Sequence, residues 1–288
     1  MSDPERPSGH QRLPRAKKSL GQNFLVDQNL QKKIVQSLHP GPTDEVLEIG
    51  PGPGALTRHL VPLVRRLILV ELDDELARRL QSEFAGNPSV RVVNADILDV
   101  SLDDLSEDPA ALKVIGNIPY NITTPILFSL LERRVRPRRI VLMVQREVAE
   151  RIAAPPGGRT YGALSVGVQS VARVERVLNV SRNAFRPVPD VESAVIRIEP
   201  FSPPPLSPEM ELALRALTRA AFGQRRKQFQ RILRDAYSLS SEQTTVIEER
   251  TGFDLRQRPE TFAPEDFVAL TRELQAPPLT PAGGGPIL

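Results

Sequence analysis

The 288-residue chain contains no cysteine, which excludes disulfides, thiolate nucleophiles and iron–sulfur clusters and fits a reducing compartment. Its three histidines, His10, His39 and His59, are scattered along the chain, so a catalytic zinc site is not expected and no metal is called for. No apolar run approaches the roughly 18 residues a membrane span needs, so no membrane is expected either. The first residues mix Asp3 and Glu5 with basic side chains and lack an apolar core, unlike a secretory signal. The cytoplasm is therefore the expected compartment. Internal repeats are also missing.

What is there is ordinary in bulk and unusual in detail. Hydrophobic residues make up 40% and charged residues 25%, the balance of a soluble globular protein. A net charge of +3 is small, but the positive charge is clustered, which points to an acidic polymer as partner. Residues 1–16 read as a flexible basic arm. Asp27 is placed to cap a helix over Gln28–Leu38, whose Leu30, Ile34, Val35 and Leu38 form one apolar stripe.

Glu45–Ile49 reads as a strand, Gly50-Pro51-Gly52-Pro53-Gly54 as a tight turn, and the residues to about Val64 as a helix. This resembles a nucleotide-binding βα unit. A phosphate cradle needs successive backbone N–H groups, however, and Pro51 and Pro53 remove two. The loop suits a nucleoside ligand without phosphates, such as S-adenosylmethionine, and disfavours a dinucleotide. Arg66–Glu71 is a second strand ending on a carboxylate placed for ribose hydroxyls; a helix-capping role for Glu71 is the alternative. Val90–Asp96 ends likewise on Asp96, placed for an adenine amine. Parallel open sheets bind ligands at the carboxyl ends of their strands, so Gly50, Glu71 and Asp96 converge on one edge.

A fourth strand, Leu112–Ile115, delivers Asn117-Ile118-Pro119-Tyr120 to that same edge. The Asn117 amide oxygen accepts from an amino group. Pro119, without an N–H, offers a carbonyl with little competition, and Tyr120 gives a flat face for a base. Taken alone, the tetrapeptide is equally a turn between a strand and a helix beginning near Pro125.

Ser101–Ala111, before the fourth strand, reads as a polar acidic connection, and Arg133–Arg139, beyond the tetrapeptide, as an arginine cluster able to meet phosphates. Ile140–Gln145 is a fifth strand and Arg146–Ala153 a helix. Residues 154–162 read as a mobile surface loop offering Arg159 to RNA. A helix over Leu164–Val171 precedes two last strands, Val174–Leu178 and Ala194–Ile198. Phe185, between them, is either a second wall of a base pocket or a core anchor. Pro200–Ser207 is a stiff linker. Four helices follow, Ser207–Phe222, Lys227–Tyr237, Ser241–Arg250 and Pro264–Leu274, with the basic turn Arg225-Arg226-Lys227 after the first. Residues 276–288 read as a flexible tail.

Lys18–Leu25, Leu47–Gly54, Val70–Asp73, Asn94–Asp96, Asn117–Tyr120, Phe185–Val195 and Phe222–Lys227 together resemble the ribosomal RNA adenine N6-dimethyltransferases, in order and at family spacing from about residue 17 to 274. The resemblance implies an α/β fold: a Rossmann-like class I methyltransferase domain over 17–200 with a mostly parallel sheet, and a small all-helical RNA-contacting domain over 201–275. It implies S-adenosylmethionine as donor, with Asn23, Leu25, Gly50, Glu71, Asp96 and Asn117 around it. Asn117, Pro119 and Tyr120 would handle the adenine, and Phe185, Arg225, Arg226 and Lys227 would meet RNA. The implied partner is 16S rRNA in the small ribosomal subunit, with the protein acting as a monomer. Related macrolide-resistance methylases share most motifs but act on 23S rRNA. Tyr120–Pro125 and the intact Phe222–Lys227 turn favour the small-subunit reading. Asp190 and Glu192 depart from the family pattern, which touches the RNA contacts of that loop. A methyltransferase fold serving only as an assembly or RNA-binding factor is the reading of another class.

Overall fold

The computed structural model describes residues 13–17 and 20–276. The expected tail lies outside these residues beyond Ala276, and so does the expected basic arm except for residues 13–16, which form no helix or strand. In chain order the elements are β1 (Phe24–Leu25), α1 (Gln28–Ser37), β2 (Glu45–Ile49), α2 (Thr57–Leu60), β3 (Arg66–Glu71), α3 (Asp74–Glu83), β4 (Val90–Asn94), α4 (Leu102–Leu105) and β5 (Lys113–Asn117). Then come α5 (Thr123–Leu131), β6 (Arg139–Gln145), α6 (Arg146–Ile152), α7 (Ala163–Gln169), β7 (Ala172–Val180), β8 (Phe185–Arg186) and β9 (Ser193–Pro200). Four helices complete the chain: α8 (Pro208–Gly223), α9 (Phe229–Tyr237), α10 (Ser241–Thr251) and α11 (Pro264–Gln275).

Seven strands form one sheet in the order β4-β3-β2-β5-β6-β9-β7. Strands β2 to β6 are parallel, and β9 runs antiparallel to both β6 and β7. Both faces of the central strands β2, β3, β5 and β6 are covered, so these read as largely apolar runs, while the edge strands β4 and β7 are only partly buried. Along β3, Leu67 and Leu69 face one core, while Ile68 and Val70 face the other. The sheet order reverses between β2 and β5, and that crevice is where an open α/β sheet takes its ligand.

Local signals set most helix starts. The Asp27 carboxylate accepts from the N–H groups of Asn29 and Leu30, and Ser207 caps α8 with Pro208 in its first turn. The helix expected to reach Val64 is only the single turn α2. Pro62 cannot continue the ladder, and the Leu63 N–H closes a tighter turn on the Leu60 carbonyl at 2.9 Å. The expected polar connection after β4 contains the short helix α4, capped by Ser101 and buried through Leu102 and Leu105.

Helices α8–α11 share a core with the sheet-bearing part, since Ala154, Tyr161 and Val166 pack into it beside Leu217, Phe229 and Phe267. This corrects the mobile loop expected over 154–162. Tyr161 is fully buried, its hydroxyl donates to the Phe262 carbonyl at 2.9 Å, and the Gly157 N–H reaches the Glu260 carbonyl. The arginine cluster is also mostly spent on structure. Arg136 forms a buried pair with Glu211 of α8, Arg133 donates to the Val100 carbonyl, and Arg139 binds Glu199 at 2.7 Å. Tyr161→Phe is expected to lower unfolding free energy by about 1–2 kcal/mol, because the Phe262 carbonyl loses its buried donor. Urea denaturation tests this, and an unchanged midpoint would mean that the hydroxyl does not brace the loop.

Candidate active site

A cavity opens at the carboxyl ends of β2, β3, β4 and β5. Asn23, Leu25, Gly50, Glu71, Asp96, Asn117, Pro119 and Tyr120 all line it. The topology brings them together: four neighbouring strands end at one edge, and the segment before β1 crosses over them.

The turn after β2 has no N–H to spare. Gly50 donates to the Val70 carbonyl, Gly52 to Glu71 Oε2 and Gly54 to the Pro51 carbonyl, each at 2.9 Å, while Pro51 and Pro53 have none to give. All three glycines hold positive φ, at 62°, 57° and 83°, a backbone shape that Cβ-bearing residues resist. A pyrophosphate would find no cradle here. A phosphate-free nucleoside fits.

Glu71 is buried, and burial pushes its carboxyl up against the pull of the Asp73 and Gly52 N–H groups, each donating at 2.9 Å. Those bonds occupy one site on each oxygen, and a carboxylate has about four acceptor sites, so ribose hydroxyls can still be received. The helix-capping alternative falls to Asp73, which caps α3 through the Glu75 N–H. Asp96 uses Oδ1 on the Leu98 N–H at 2.9 Å. These acceptors suit the nucleoside half of S-adenosylmethionine.

The crossing segment is strapped down by side chains that the sequence alone did not single out. Asp73 accepts Lys17 Nζ at 2.7 Å and Gln22 Nε2 at 3.0 Å. Burial pushes its carboxyl up, but the Lys17 and Gln22 bonds outweigh this and hold it below the ordinary range. Gln31 Nε2 donates to the Leu25 carbonyl at 2.9 Å, and His59 Nε2 lies 3.1 Å from Gln31 Oε1. Asp73→Asn is expected to weaken S-adenosylmethionine binding about tenfold, the loss expected from one or two charge-assisted bonds. Calorimetry checks it. Because the Asp73 pKa is depressed, the strap is intact at neutral pH and releases only as pH falls below the usual carboxylate range of ~3.9.

At the end of β5, Asn117 Nδ2 donates to the Asn23 carbonyl at 3.0 Å, which leaves the amide oxygen as the group's remaining acceptor. The Pro119 carbonyl, expected to be uncontested, instead accepts from the Ile122 N–H at 3.1 Å and Thr123 Oγ1 at 3.4 Å. These bonds close the short turn Tyr120–Ile122 that leads into α5. The Ile118 carbonyl, by contrast, receives no hydrogen bond among the described residues, and Ile118 also lines the cavity. Tyr120 is half-buried, with its hydroxyl 2.6 Å from Ser193 Oγ. Glu48 was missed as well. It lines the cavity almost fully buried, and burial pushes its carboxyl up to about 8 despite the Thr57 hydroxyl donating to Oε2 at 2.7 Å. A lone acid in the apolar run Val46–Ile49 was the available signal.

The expected RNA contacts lie away from the cavity. Phe185 is fully buried beneath the sheet, paired with Leu25 of β1, so it is a core anchor and not a pocket wall. Arg225 donates to the carbonyls of Arg159 and Gly158 at 2.8 and 2.9 Å and so pins the loop it was expected to accompany onto RNA. Lys227 pairs with Asp235 at 3.0 Å, and Arg226 is exposed with no side-chain partner among the described residues. Glu192 uses its carboxylate on the Arg182 N–H at 3.1 Å. Among the described residues no cluster of potential metal ligands occurs, and no helix is long and apolar enough to cross a membrane.

Similarity to known proteins identifies the family. The ribosomal RNA adenine dimethylase family matches residues 14–275. The ribosomal RNA small subunit methyltransferase A of Geobacter metallireducens is 42% identical, covering 91% of this chain and 96% of the relative. The protein of the same name from Moorella thermoacetica is 43% identical, covering 90% and 92%. Two solved structures superpose with a TM-score of 0.70: a dimethyladenosine transferase from Plasmodium falciparum, 25% identical over 86% of this chain and 95% of that one, and the 23S rRNA methyltransferase ErmE, 26% identical over 88% and 100%. With its parallel sheet, phosphate-free nucleotide turn and Asn-Ile-Pro-Tyr edge, the chain belongs to the ribosomal RNA adenine dimethylase family, whose methyl donor is S-adenosylmethionine.

Proposed function

We propose that this protein methylates N6 of two adjacent adenines in the 3′-terminal hairpin of 16S rRNA, each twice, to give N6,N6-dimethyladenosine during small-subunit assembly. The observation that carries the chemistry is the pair of acceptors at the cavity edge, the Asn117 amide oxygen and the Ile118 carbonyl. When bound, S-adenosylmethionine supplies an electrophilic methyl group on a cationic sulfur. The adenine amine is a poor nucleophile because its lone pair is delocalised into the ring. Two acceptors that each take one N6 hydrogen turn that lone pair outward, toward the incoming methyl. Orientation of this kind contributes several kcal/mol, with ~7–11 the upper range. Transfer of the methyl to N6 would release one N6 proton, and with Asn117 and Ile118 acting only as hydrogen-bond acceptors that proton would pass to solvent. No general base of perturbed pKa is required.

Asn23, Leu25, Gly50, Glu71 and Asp96 hold the donor, and Tyr120 stacks on an adenine drawn out of its helix. Pro119 shapes the turn. On the helical part, over 201–275, Arg226 and Lys227 meet phosphates. The protein works as a monomer in the cytoplasm.

Identity near 40% over nine-tenths of the chain to proteins named for the small subunit supports 16S rRNA over 23S rRNA. The two structural neighbours match equally well and leave that choice to the sequence. The test is to map dimethyladenosine in rRNA from cells with and without the protein. Loss of modification in 23S rRNA, with 16S rRNA unchanged, would overturn the reading. A purely architectural role is separated by calorimetry with S-adenosylmethionine, where absence of binding would favour it.

A further inference from the structure

Ser193 and Tyr120 lie 73 residues apart in sequence, yet their hydroxyls are 2.6 Å apart. Ser193 is buried, at 1% exposure, and opens β9. It is held from both sides, paired with Gln145 of β6 and with Val180 of β7. The preceding residue is fixed too: the Arg146 N–H donates to the Glu192 carbonyl at 2.9 Å, and the Arg182 N–H to the Glu192 carboxylate at 3.1 Å. Tyr120 stands on a weaker footing. It begins a three-residue turn with no side-chain cap, closed by the Ile122 N–H on the Pro119 carbonyl. A phenol ring on such a turn can swing about its Cα–Cβ bond unless its far end is tied. The tie is Ser193.

From this contrast we infer that Ser193 is a positioning residue for methyl transfer: the rigid sheet, acting through the Ser193 hydroxyl, fixes the Tyr120 ring at the angle that receives the adenine. The inference rests on the reading of Tyr120 as the stacking wall. It also gives the phenol a use that is not proton transfer. Burial pushes the Tyr120 hydroxyl up from its ordinary range, and the hydroxyl is engaged with Ser193. The bond spans two structural units that no local sequence signal connects: the turn after β5 and the start of β9, which runs antiparallel to β6.

The experiment is a double-mutant cycle read by single-turnover methyl transfer to undermethylated small subunits. Ser193→Ala and Tyr120→Phe each delete one half of the bond and keep the ring. Each is expected to slow transfer about 2–13-fold, the range one hydrogen bond covers. The double variant should be no slower than the slower single, because both remove the same contact. Affinity for S-adenosylmethionine, measured by calorimetry, should stay within twofold for all three, which also reports folding. Multiplying losses, or wild-type rates in either single variant, would overturn the assignment. Should Ser193→Ala not fold, Tyr120→Phe still decides the matter from the other end of the bond. Tyr120→Ala separates this inference from the one beneath it. If that variant transfers methyl at the wild-type rate, the stacking wall itself is wrong. If it is inactive while Ser193→Ala and Tyr120→Phe are unimpaired, the wall stands and only the role of Ser193 falls.

Discussion

Replacing Asn117 by alanine is expected to slow methyl transfer on the order of 10²–10³-fold, the range seen when one preorganised polar group is removed from a reacting centre. Two losses combine. The amide oxygen no longer takes an N6 hydrogen, and the 3.0 Å bond from Nδ2 to the Asn23 carbonyl disappears, loosening the segment that crosses the cavity. Only the first concerns the reacting atom. Affinity for S-adenosylmethionine should therefore fall less, about tenfold, as expected for one lost hydrogen bond in a partly buried site. Asn117→Asp discriminates between the two. It keeps an acceptor oxygen but sets a carboxylate against the Asn23 carbonyl, so donor affinity should drop further than in the alanine variant. Single-turnover assays on undermethylated small subunits, paired with calorimetry, read both quantities. A rate within threefold of wild type at saturating donor would remove Asn117 from the chemistry.

The sequence made the site legible wherever function coincides with a strand end. Each of β2, β3, β4 and β5 announces itself as a short apolar run, and each ends on or shortly before a residue that a nucleoside can use. What stayed hidden depends on partners far along the chain. Whether a carbonyl in Asn117-Ile118-Pro119-Tyr120 is free is decided by Ile122 and Thr123, which fold back onto Pro119 and leave Ile118 open. Loop 154–162 has the composition of a mobile surface segment, yet Tyr161 finds its acceptor at Phe262, 101 residues on. The arginines at 133, 136 and 139 look like a phosphate patch until Val100, Glu211 and Glu199 claim them. Local pattern reports what a residue can do. The tertiary structure determines whether that capacity has already been used.

Glu48→Gln is expected to make the protein more stable, and increasingly so as pH rises. Glu48 sits on β2, facing the same side as Val46, almost fully buried, with the Thr57 hydroxyl on Oε2. Burial pushes its carboxyl from 4.5 up to about 8, with the nearby Glu71 adding to the shift. The sign follows from proton linkage. In the unfolded chain the group ionises near 4.5, while in the native state it keeps its proton to about 8. Between those values the unfolded state binds fewer protons, so each step up in pH favours unfolding. The contribution to stability is whole below 4.5, declines through the neutral range, and is gone above about 8. Over that span the loss amounts to about 3–5 kcal/mol. Glutamine has the shape of the protonated acid, still offers an oxygen to Thr57, and does not titrate. The two proteins should then unfold at nearly the same urea concentration at pH 5. By pH 8.5 the variant should gain about 3 kcal/mol or more, a shift of several degrees in Tm for a protein of this size. Parallel stability curves from pH 5 to 9 would mean that Glu48 is already ionised in the folded protein, its charge compensated within the cavity it lines.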